Sequence, residues 1–270
     1  MSHLYRYVDG DFNIAHTLTP LPDPSNFKLH THAQAELYYF CGGSGVFHIE
    51  GSDYTLEPGD LLVMQSAEAH YIELDVSQPY ERKVLHVSTA SLRCVDPQGI
   101  LLRPLLDRKP GKSNLYKNYQ FRGNSCEHYF DTMLLPGEDP RVNIYAGLIG
   151  LLHELNQIRL QNTEPADPAQ DTTAYRIIRY LNKNLDAPVT LEEICHRFFI
   201  SKSQLCRIFR SATGTTVRQY LTIKRLVKAR QLIEAGERAT HVYLQCGFND
   251  YSSFFRAYSK HFGHAPSEQP

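Results

Sequence analysis

The sequence predicts a two-domain α+β protein. We expect an N-terminal antiparallel β-barrel with accessory helices, followed by a C-terminal all-α domain of two helix-turn-helix units. From about residue 27 to 90, short runs alternate polar and apolar residues between clusters of Gly, Pro, Ser and Asp, which is typical of a small barrel or sandwich. Beyond residue 172, each run instead has the apolar spacing of a helix.

Charge distinguishes the two halves. The 270 residues have a formal net charge of −1, but residues 171–270 carry 15 basic and 8 acidic side chains, against 13 and 21 in the first 170 residues. This asymmetry favours a polyanionic partner for the C-terminal part alone, although chance segregation of surface charge is an alternative. The six cysteines form no CxxC pair, and neither a signal-peptide pattern nor an apolar span of about 20 residues is present, so we expect a cytoplasmic protein without membrane contact.

Four segments are expected along the chain. They are a barrel domain at 1–142, a helix at 143–161, a linker at 162–172 and the helix-turn-helix domain at 173–270. The 143–161 helix carries one apolar stripe, formed by Ile144, Leu148, Leu151, Leu152, Leu155 and Ile158. Such a stripe is suited to packing on the barrel, and equally to forming a dimer seam.

The C-terminal domain contains an internal repeat. SKSQLCRIFRSATG at 201–214 aligns with DYSSFFRAYSKHFG at 250–263, so that Ser201 matches Asp250 as a helix cap and Arg207 matches Arg256. Each copy follows a short helix and a tight turn, as the second helix of a helix-turn-helix does. In that motif the N-terminal part of the second helix enters the major groove of DNA.

Helical spacing separates core residues from DNA-facing ones. Leu205 and Phe209 face the core in the first copy, and Phe254 does so in the second. The residues on the other faces are the expected DNA contacts: Ser203, Gln204, Cys206, Arg207, Ser252, Ser253 and Arg256, with Phe255 beside them. Each Arg is suited both to guanine recognition and to phosphate contact, and the sequence leaves that choice open.

The last hundred residues resemble the DNA-binding domain of the AraC/XylS regulator family. The residues that carry the resemblance include Leu205, Phe209, Gly214, Tyr220, the run KRLVKARQLI with Arg225 and Ala229, Cys246–Phe248, Phe254, Gly263 and Pro266. The resemblance implies two helix-turn-helix units joined by a long helix and inserted into successive major grooves. It also implies base contacts by Ser203, Cys206, Arg207, Ser252 and Arg256.

Two positions depart from that family pattern. The small residue expected between paired helices is Tyr243 in the second unit, so that this side chain must displace its neighbour or turn outward. The turn glycine of the first unit is Phe199, a residue that tolerates a positive φ poorly.

The barrel region resembles a cupin. His30, His32, Glu36 and Gly43 fit the family motif HxHx3Ex6G, and the second motif keeps Gly59 and His70 but has Gln65, Ala67 and Leu74 at its customary Pro, Gly and Asn. In enzymatic cupins the matching residues bind a divalent metal. The resemblance thus implies His30, His32, Glu36 and His70 as ligands for Zn, Ni, Mn or Fe, or as effector contacts without metal.

Side-chain parity supports one shared pocket. On a continuous strand, His30, His32 and Glu36 point to the barrel interior, where Tyr38 has the same parity. The expected effector-binding residues are therefore His30, His32, Glu36, Tyr38 and His70, and a sugar or small organic acid suits such a pocket. His48 and His86 match no motif and are interpreted as ordinary barrel residues.

These features favour a transcription regulator over an enzyme. We expect an activator that binds promoter DNA as a homodimer under the control of a small-molecule effector, with RNA polymerase as a further partner. The alternatives are a cupin metalloenzyme, such as an isomerase or dioxygenase, fused to a DNA-binding domain, and an effector-independent DNA-binding protein with a vestigial barrel.

Overall fold

Two antiparallel sheets build the N-terminal half of the protein, in a computed structural model that describes residues 2–161 and 172–268. The strands are β1 (Ser2–Val8), β2 (Phe12–Thr19), β3 (Ala35–Gly42), β4 (Gly45–Ile49), β5 (Ser52–Leu56), β6 (Leu61–Met64), β7 (His70–Leu74), β8 (Tyr80–Val87) and β9 (Leu115–Tyr116). One sheet has the order β1-β2-β8-β3-β6-β9, and the other has the order β5-β4-β7. The antiparallel fold is confirmed, as two facing sheets of the jelly-roll kind.

Both faces of the larger sheet are buried, and strand β3 shows why. Tyr38 and Phe40 point into the core between the sheets, whereas Leu37 and Tyr39 point to the opposite face and join a second core. Successive side chains of a strand alternate between faces, so one strand serves both cores. The inner core encloses the cavity described below.

Three strands were not anticipated. Strands β1 and β2 precede the region where alternation was recognised, and β9 is only two residues long. In β1, Leu4 and Val8 are 57% and 53% exposed. Apolar residues that face solvent on an edge strand weaken the alternation that sequence analysis depends on.

The accessory helices cover the outer face of the larger sheet. They are α1 (Arg103–Leu106), α2 (Cys126–Met133) and α3 (Pro140–Gln161). The apolar stripe of α3, from Ile144 to Ile158, is buried in the same core as strands β2, β3 and β8. The structure therefore uses this stripe for packing on the sheet, and no longer leaves it free as a dimer seam.

The C-terminal half is entirely helical within the described residues. Its helices are α4 (Thr173–Lys183), α5 (Leu191–Phe198), α6 (Lys202–Thr213), α7 (Val217–Glu234), α8 (Ala239–Gln245) and α9 (Tyr251–Phe262). Helices α5 and α6 form one helix-turn-helix unit, α8 and α9 form the other, and α7 joins them. The linker expected at 162–172 lies outside the described residues except for Thr172, which caps α4. The four segment boundaries stay a prediction.

The structure shows how the two residues that depart from the family pattern, Phe199 and Tyr243, are accommodated. Phe199 ends α5 in the left-handed region, at φ 54°, and its side chain is 93% exposed. Tyr243 is half-buried and packs its ring 5.7 Å from Tyr251 and 6.5 Å from Phe254, between the two helices of the second unit. The second unit therefore accommodates a large side chain where the first has Cys195.

Candidate functional site

Helix α6 presents its predicted DNA-facing side chains to solvent. Ser201 caps the helix: its hydroxyl accepts a hydrogen bond from the Gln204 N–H (3.2 Å), and the Gln204 side-chain oxygen accepts one from the Ser201 N–H (2.9 Å). Leu205 and Phe209 are fully buried, so the other face of the helix turns outward. The predicted contacts of this helix are all exposed: Ser203, Gln204, Cys206 and Arg207.

Helix α9 repeats this arrangement. The Asp250 carboxylate accepts a hydrogen bond from the Ser253 N–H at 2.7 Å, and Phe254 is fully buried. Ser252 and Arg256 are exposed, whereas Ser253 is half-buried. The exposed N-terminal half of each helix thus carries one Arg and at least one Ser.

A groove of about 860 Å³ separates the two units. Arg210, Arg218 and Arg225 line it, together with Asp250 at the start of α9. The Arg225 guanidinium donates to the Leu185 and Ala187 carbonyls and so braces α7. Arg210 and Arg218 are exposed cations that were not predicted to contact DNA, because the prediction used only positions matched between the two copies of the repeat.

The effector pocket expected from the sequence corresponds to a cavity between the sheets. It has a volume of about 340 Å³ and is lined by His30, Glu36, Tyr38 and His70, four of the five predicted residues. The fifth, His32, reaches the same cluster through Glu36. The lining also contains side chains that were not predicted: Asn13, Thr17, Phe27, Tyr80, Arg82 and His86, with His3 and Arg6 on the exposed edge strand.

Glu36 is the centre of a histidine cluster. Its Oε2 lies 2.5 Å from His32 Nε2, 3.2 Å from His70 Nε2 and 3.4 Å from His86 Nε2. Burial acts to raise the pKa of Glu36, but the charges of His86 and His70 and hydrogen bonds from His32 and His70 hold it well below its ordinary value. This carboxyl is therefore ionised inside the protein.

The residues of this cluster do not share the single continuous strand that the sequence predicted. Strand β3 begins at Ala35, so His30 and His32 lie in the loop before it. His30 is held by paired backbone hydrogen bonds with His70, both 3.1 Å long. His86 joins because β3 and β8 pair Glu36 directly with His86. The alternating run ERKVLHV was the sequence signal for an inward His86.

The donor atoms of this cluster fit a divalent cation. Ligand atoms of His32, Glu36 and His86 all lie within 4.8 Å of one another. His32 Nδ1 contacts the Gln34 carbonyl at 2.7 Å, which leaves its Nε2 for a ligand. His30 and His70 lie outside this group of three, so the arrangement differs from the predicted set of His30, His32, Glu36 and His70.

The other end of the cavity is aromatic and carries the Arg82 guanidinium. The hydroxyls of Tyr38 and Tyr80 are hydrogen-bonded to each other. The Arg82 guanidinium lies over the Tyr80 ring, 4.7 Å from its centroid, and 5.7 Å from that of Phe27. Arg82 Nη1 is buried and has no hydrogen-bond partner among the described residues.

A buried polar network joins the sensor domain to the DNA-binding domain. Glu50, in the turn after β4, accepts hydrogen bonds from the Ala69 N–H (2.7 Å), Asn182 Nδ2 (2.7 Å) and Tyr220 (2.5 Å), and pairs with Lys224 Nζ (2.7 Å). Burial acts to raise the pKa of Glu50, but the Lys224 charge and these hydrogen bonds lower it. Asn182, Tyr220 and Lys224 belong to α4 and α7, so this network uses no residue of α6 or α9.

A second contact of Lys224 involves a residue with a strained backbone conformation. Lys224 Nζ also donates to the Ala67 carbonyl at 2.5 Å, and Ala67 has a φ of 64°. The cupin motif customarily has Gly at this position, which is the residue that tolerates this conformation. The neighbouring Gly51 lies so close to α4 that a Cβ there would meet Ile178 at 2.7 Å.

No helix within residues 2–161 and 172–268 is both long and apolar enough to cross a membrane.

Comparisons with known proteins agree with this architecture. Residues 22–96 match the family model for an AraC-like ligand binding domain, and residues 194–269 match that for a helix-turn-helix domain. The HTH-type transcriptional activator RhaS from Mannheimia succiniciproducens is 26% identical over 261 residues, which cover 93% of this chain and 92% of that protein. RhaR from Salmonella arizonae, also an HTH-type transcriptional activator, is 25% identical over 252 residues, covering 90% and 86%.

Solved structures include ToxT from Vibrio cholerae, which is 12% identical with a TM-score of 0.43, over 97% of this chain and 96% of that one. Both domain models match in the order that the fold requires, and the activators align with nearly the whole chain. The chain is therefore an AraC-family transcriptional regulator, with an N-terminal ligand-binding domain and a C-terminal helix-turn-helix DNA-binding domain.

Proposed function

We propose that this regulator activates transcription by reading promoter DNA with α6 and α9. The observation that carries the proposal is the matched exposure of Arg207 and Arg256, each on a capped helix whose opposite face is buried. An exposed Arg in the first turns of such a helix can donate two hydrogen bonds to a guanine edge. The contact set is Ser203, Gln204, Cys206, Arg207, Ser252, Ser253 and Arg256.

The control element is the cavity between the sheets. We propose that a sugar or small organic acid binds there, against His30, His32, Glu36, Tyr38 and His70. His70 lines the cavity, and the N–H of the preceding residue, Ala69, donates to Glu50. A ligand that moves His70 therefore acts on the Glu50–Lys224 contact through a single peptide unit. Control requires that the effector bind the two arrangements of the domains with different affinity.

Assembly and location complete the proposal. We propose a homodimer that acts in the cytoplasm and contacts RNA polymerase at the promoter. Because the apolar stripe of α3 packs on the sheet, a dimer must use another surface. Sedimentation of the full chain with and without DNA measures this assembly.

The experiment is a binding assay with the full chain. Fluorescence anisotropy compares DNA from its own promoter region with a shuffled sequence, at several salt concentrations. We expect a clear preference for the promoter and a steep loss of affinity with salt, because several phosphates are neutralised. Equal affinity for both DNAs would overturn the proposal.

The histidine cluster favours a second candidate, a cupin metalloenzyme fused to the DNA-binding domain. His32, Glu36 and His86 offer the ligands that such an isomerase or dioxygenase requires. Turnover of candidate substrates by metal-loaded protein would support this candidate. Regulation that continues when the metal is removed would argue against it.

A further inference from the structure

Arg82 is the most unusual group in the cavity between the sheets. It belongs to β8 on the face that also presents Tyr80 and His86, and all three line the cavity. Its Nη1 atom is buried without a hydrogen-bond partner among the described residues. An ionised guanidinium removed from water loses favourable solvation unless an anion or several acceptors replace it.

No carboxylate in residues 2–161 or 172–268 lies within ion-pair distance of Arg82. Among the residues that the structure describes, Glu36 is the acidic one that lines the cavity. In the register of β3 and β8, Glu36 pairs with His86, whereas Arg82 pairs with Phe40. Four residues of strand separate these pairs by about 13 Å. Glu36 is also engaged already by His32, His70 and His86.

Aromatic contacts account for only part of what Arg82 requires. The guanidinium lies 4.7 Å from the centroid of the Tyr80 ring, a cation–π contact that stabilises its charge. Stacking occupies the flat face of the guanidinium and leaves the N–H groups at its edge to donate. The Nη1 atom itself is closed to solvent, so a ligand in the cavity would meet the rest of the guanidinium edge, which belongs to a residue that lines the cavity.

The neighbouring hydroxyls can donate hydrogen bonds as well as accept them. Burial raises the pKa of Tyr80 to about 12 and holds that of Tyr38 well above its ordinary value, so both phenols stay protonated and uncharged. Thr17, which pairs with Arg82 across β2 and β8, adds a third hydroxyl to the lining. This end of the cavity is thus rich in donors and has no negative charge of its own.

The opposite end has different chemistry. His70 Nε2 is buried and lies 3.2 Å from Glu36 Oε2, and the His70 ring lies 4.3 Å from that of His30. Imidazole nitrogens donate or accept hydrogen bonds according to tautomer. Hydroxyl groups can do both. Together with Asn13, which pairs with His86 across β2 and β8, the imidazoles suit a ligand with several hydroxyls.

We infer that the cavity binds a small polyhydroxylated carboxylic acid, with its carboxylate on Arg82 and its hydroxyls toward the histidine cluster. The inference rests on the proposed function, and within it selects an organic acid over a neutral sugar. One planar guanidinium matches the geometry of a carboxylate, whose two oxygens accept parallel hydrogen bonds.

Calorimetric titration of the full chain tests the inference with matched pairs that differ only in the acid group. Galacturonate is compared with galactose, gluconate with glucitol and threonate with threitol, at constant ionic strength. We expect at least one acid to bind about tenfold or more tightly than its neutral partner, as a charge-assisted hydrogen bond implies. An equal or higher affinity of the neutral partner in every pair, or no binding by any acid, would overturn the inference.

Variants assign the preference to Arg82. Arg82→Gln should abolish it and Arg82→Lys should reduce it, whereas the matched control Arg103→Gln, at a 48% exposed arginine of α1, should keep it. Circular dichroism confirms that each variant is folded. An acid preference that survives in folded Arg82→Gln would contradict the inference, and tighter binding of galactose 6-phosphate than of galacturonate would reassign the site to phosphate esters.

The proposed function is tested separately. Promoter preference of the natural protein and of the control Arg103→Gln is measured without ligand, and the two should match. If DNA binding is normal but the protein responds only to a neutral sugar, the assignment of an anionic ligand is wrong. The proposed function as a regulator then still holds. Loss of promoter preference in the natural protein would instead contradict the proposed function.

Discussion

Glu50 Oε1 lies 2.7 Å from Lys224 Nζ, and the two side chains are 1% and 7% exposed at the boundary between the sensor and the DNA-binding domain. The two residues are 174 positions apart in the chain. Because Tyr220 and Asn182 also donate to this carboxylate, the contact fixes α4 and α7 against the turn after β4. Changes at Glu50 should therefore affect both stability and the relation between the domains.

We expect Glu50→Gln to destabilise the protein by about 3 kcal/mol, because Lys224 would stay buried without its counter-charge. The free energy of unfolding is measured by urea denaturation. In the double variant Glu50→Gln with Lys224→Met, no unpaired charge remains, and much of the loss should be recovered. Equal destabilisation by the single and double variants would show that the ion pair is not the cause.

The Glu50–Lys224 pair should make the stability of the protein depend on pH. A carboxyl with a lowered folded-state pKa, such as Glu50, contributes stability that is fully present above its unfolded pKa of about 4.3. This contribution is lost as pH falls through the folded value. Below about pH 4.3 the natural protein should therefore lose stability faster than Glu50→Gln does. Denaturation at a series of pH values measures both slopes, and parallel slopes would contradict this account.

Arg207→Ala should weaken binding to the target promoter by about 1–3 kcal/mol, with a smaller effect on shuffled DNA, if Arg207 reads a base. Arg256→Ala tests the equivalent position of α9. Lys202→Ala is the control, since Lys202 is an exposed cation outside the predicted base contacts and should affect both DNAs equally. An equal loss on both DNAs for Arg207→Ala would assign this residue to phosphate.

Phe199→Gly should stabilise the first helix-turn-helix unit by about 1 kcal/mol, because a side chain in the left-handed region is strained and this one is 93% exposed. Phe199→Ala is the matched control: it removes the ring but keeps the Cβ that causes the strain. Thermal unfolding of both variants measures the difference. A gain with Ala equal to that with Gly would attribute the effect to the ring.

Zinc titration should distinguish the two ligand sets. We expect His86→Ala to weaken zinc binding strongly and His30→Ala to leave it nearly unchanged, because His86 and not His30 lies within 4.8 Å of the ligand atoms of His32 and Glu36. Metal content after dialysis measures the effect. Loss of zinc in His30→Ala with retention in His86→Ala would restore the set that the motif implies.

Much of the DNA-binding domain could be predicted from its residues, because its determinants are local. Ser201 and Asp250 cap helices within three residues of their partners, and Gly214 and Gly263 end the same helices at φ 67° and 80°. The position of Phe199 at a positive φ followed from the same turn pattern. A repeat of such local signals makes the whole domain recognisable.

The cavity was only partly predictable. The motif identified Glu36 and three histidines, but His86 and Arg82 join them because β8 pairs with β3, which no spacing within a motif encodes. The continuous strand expected for His30 and His32 is a loop, since β3 begins only at Ala35. Backbone pairing across the sheet therefore selected the members of the site.

By itself, the sequence determined the secondary structure of the C-terminal half, the repeat of its recognition helices and the parity that turns Glu36 and Tyr38 inward. These depend on hydrogen bonds and side-chain periodicity within a few residues. Only the tertiary structure decided that Glu50 meets Lys224, that Arg82 faces an aromatic cavity and that the α3 stripe packs on the sheet. Those contacts join segments that are distant in the chain, and burial of the surface between the segments brings them together. No local sequence pattern records that burial.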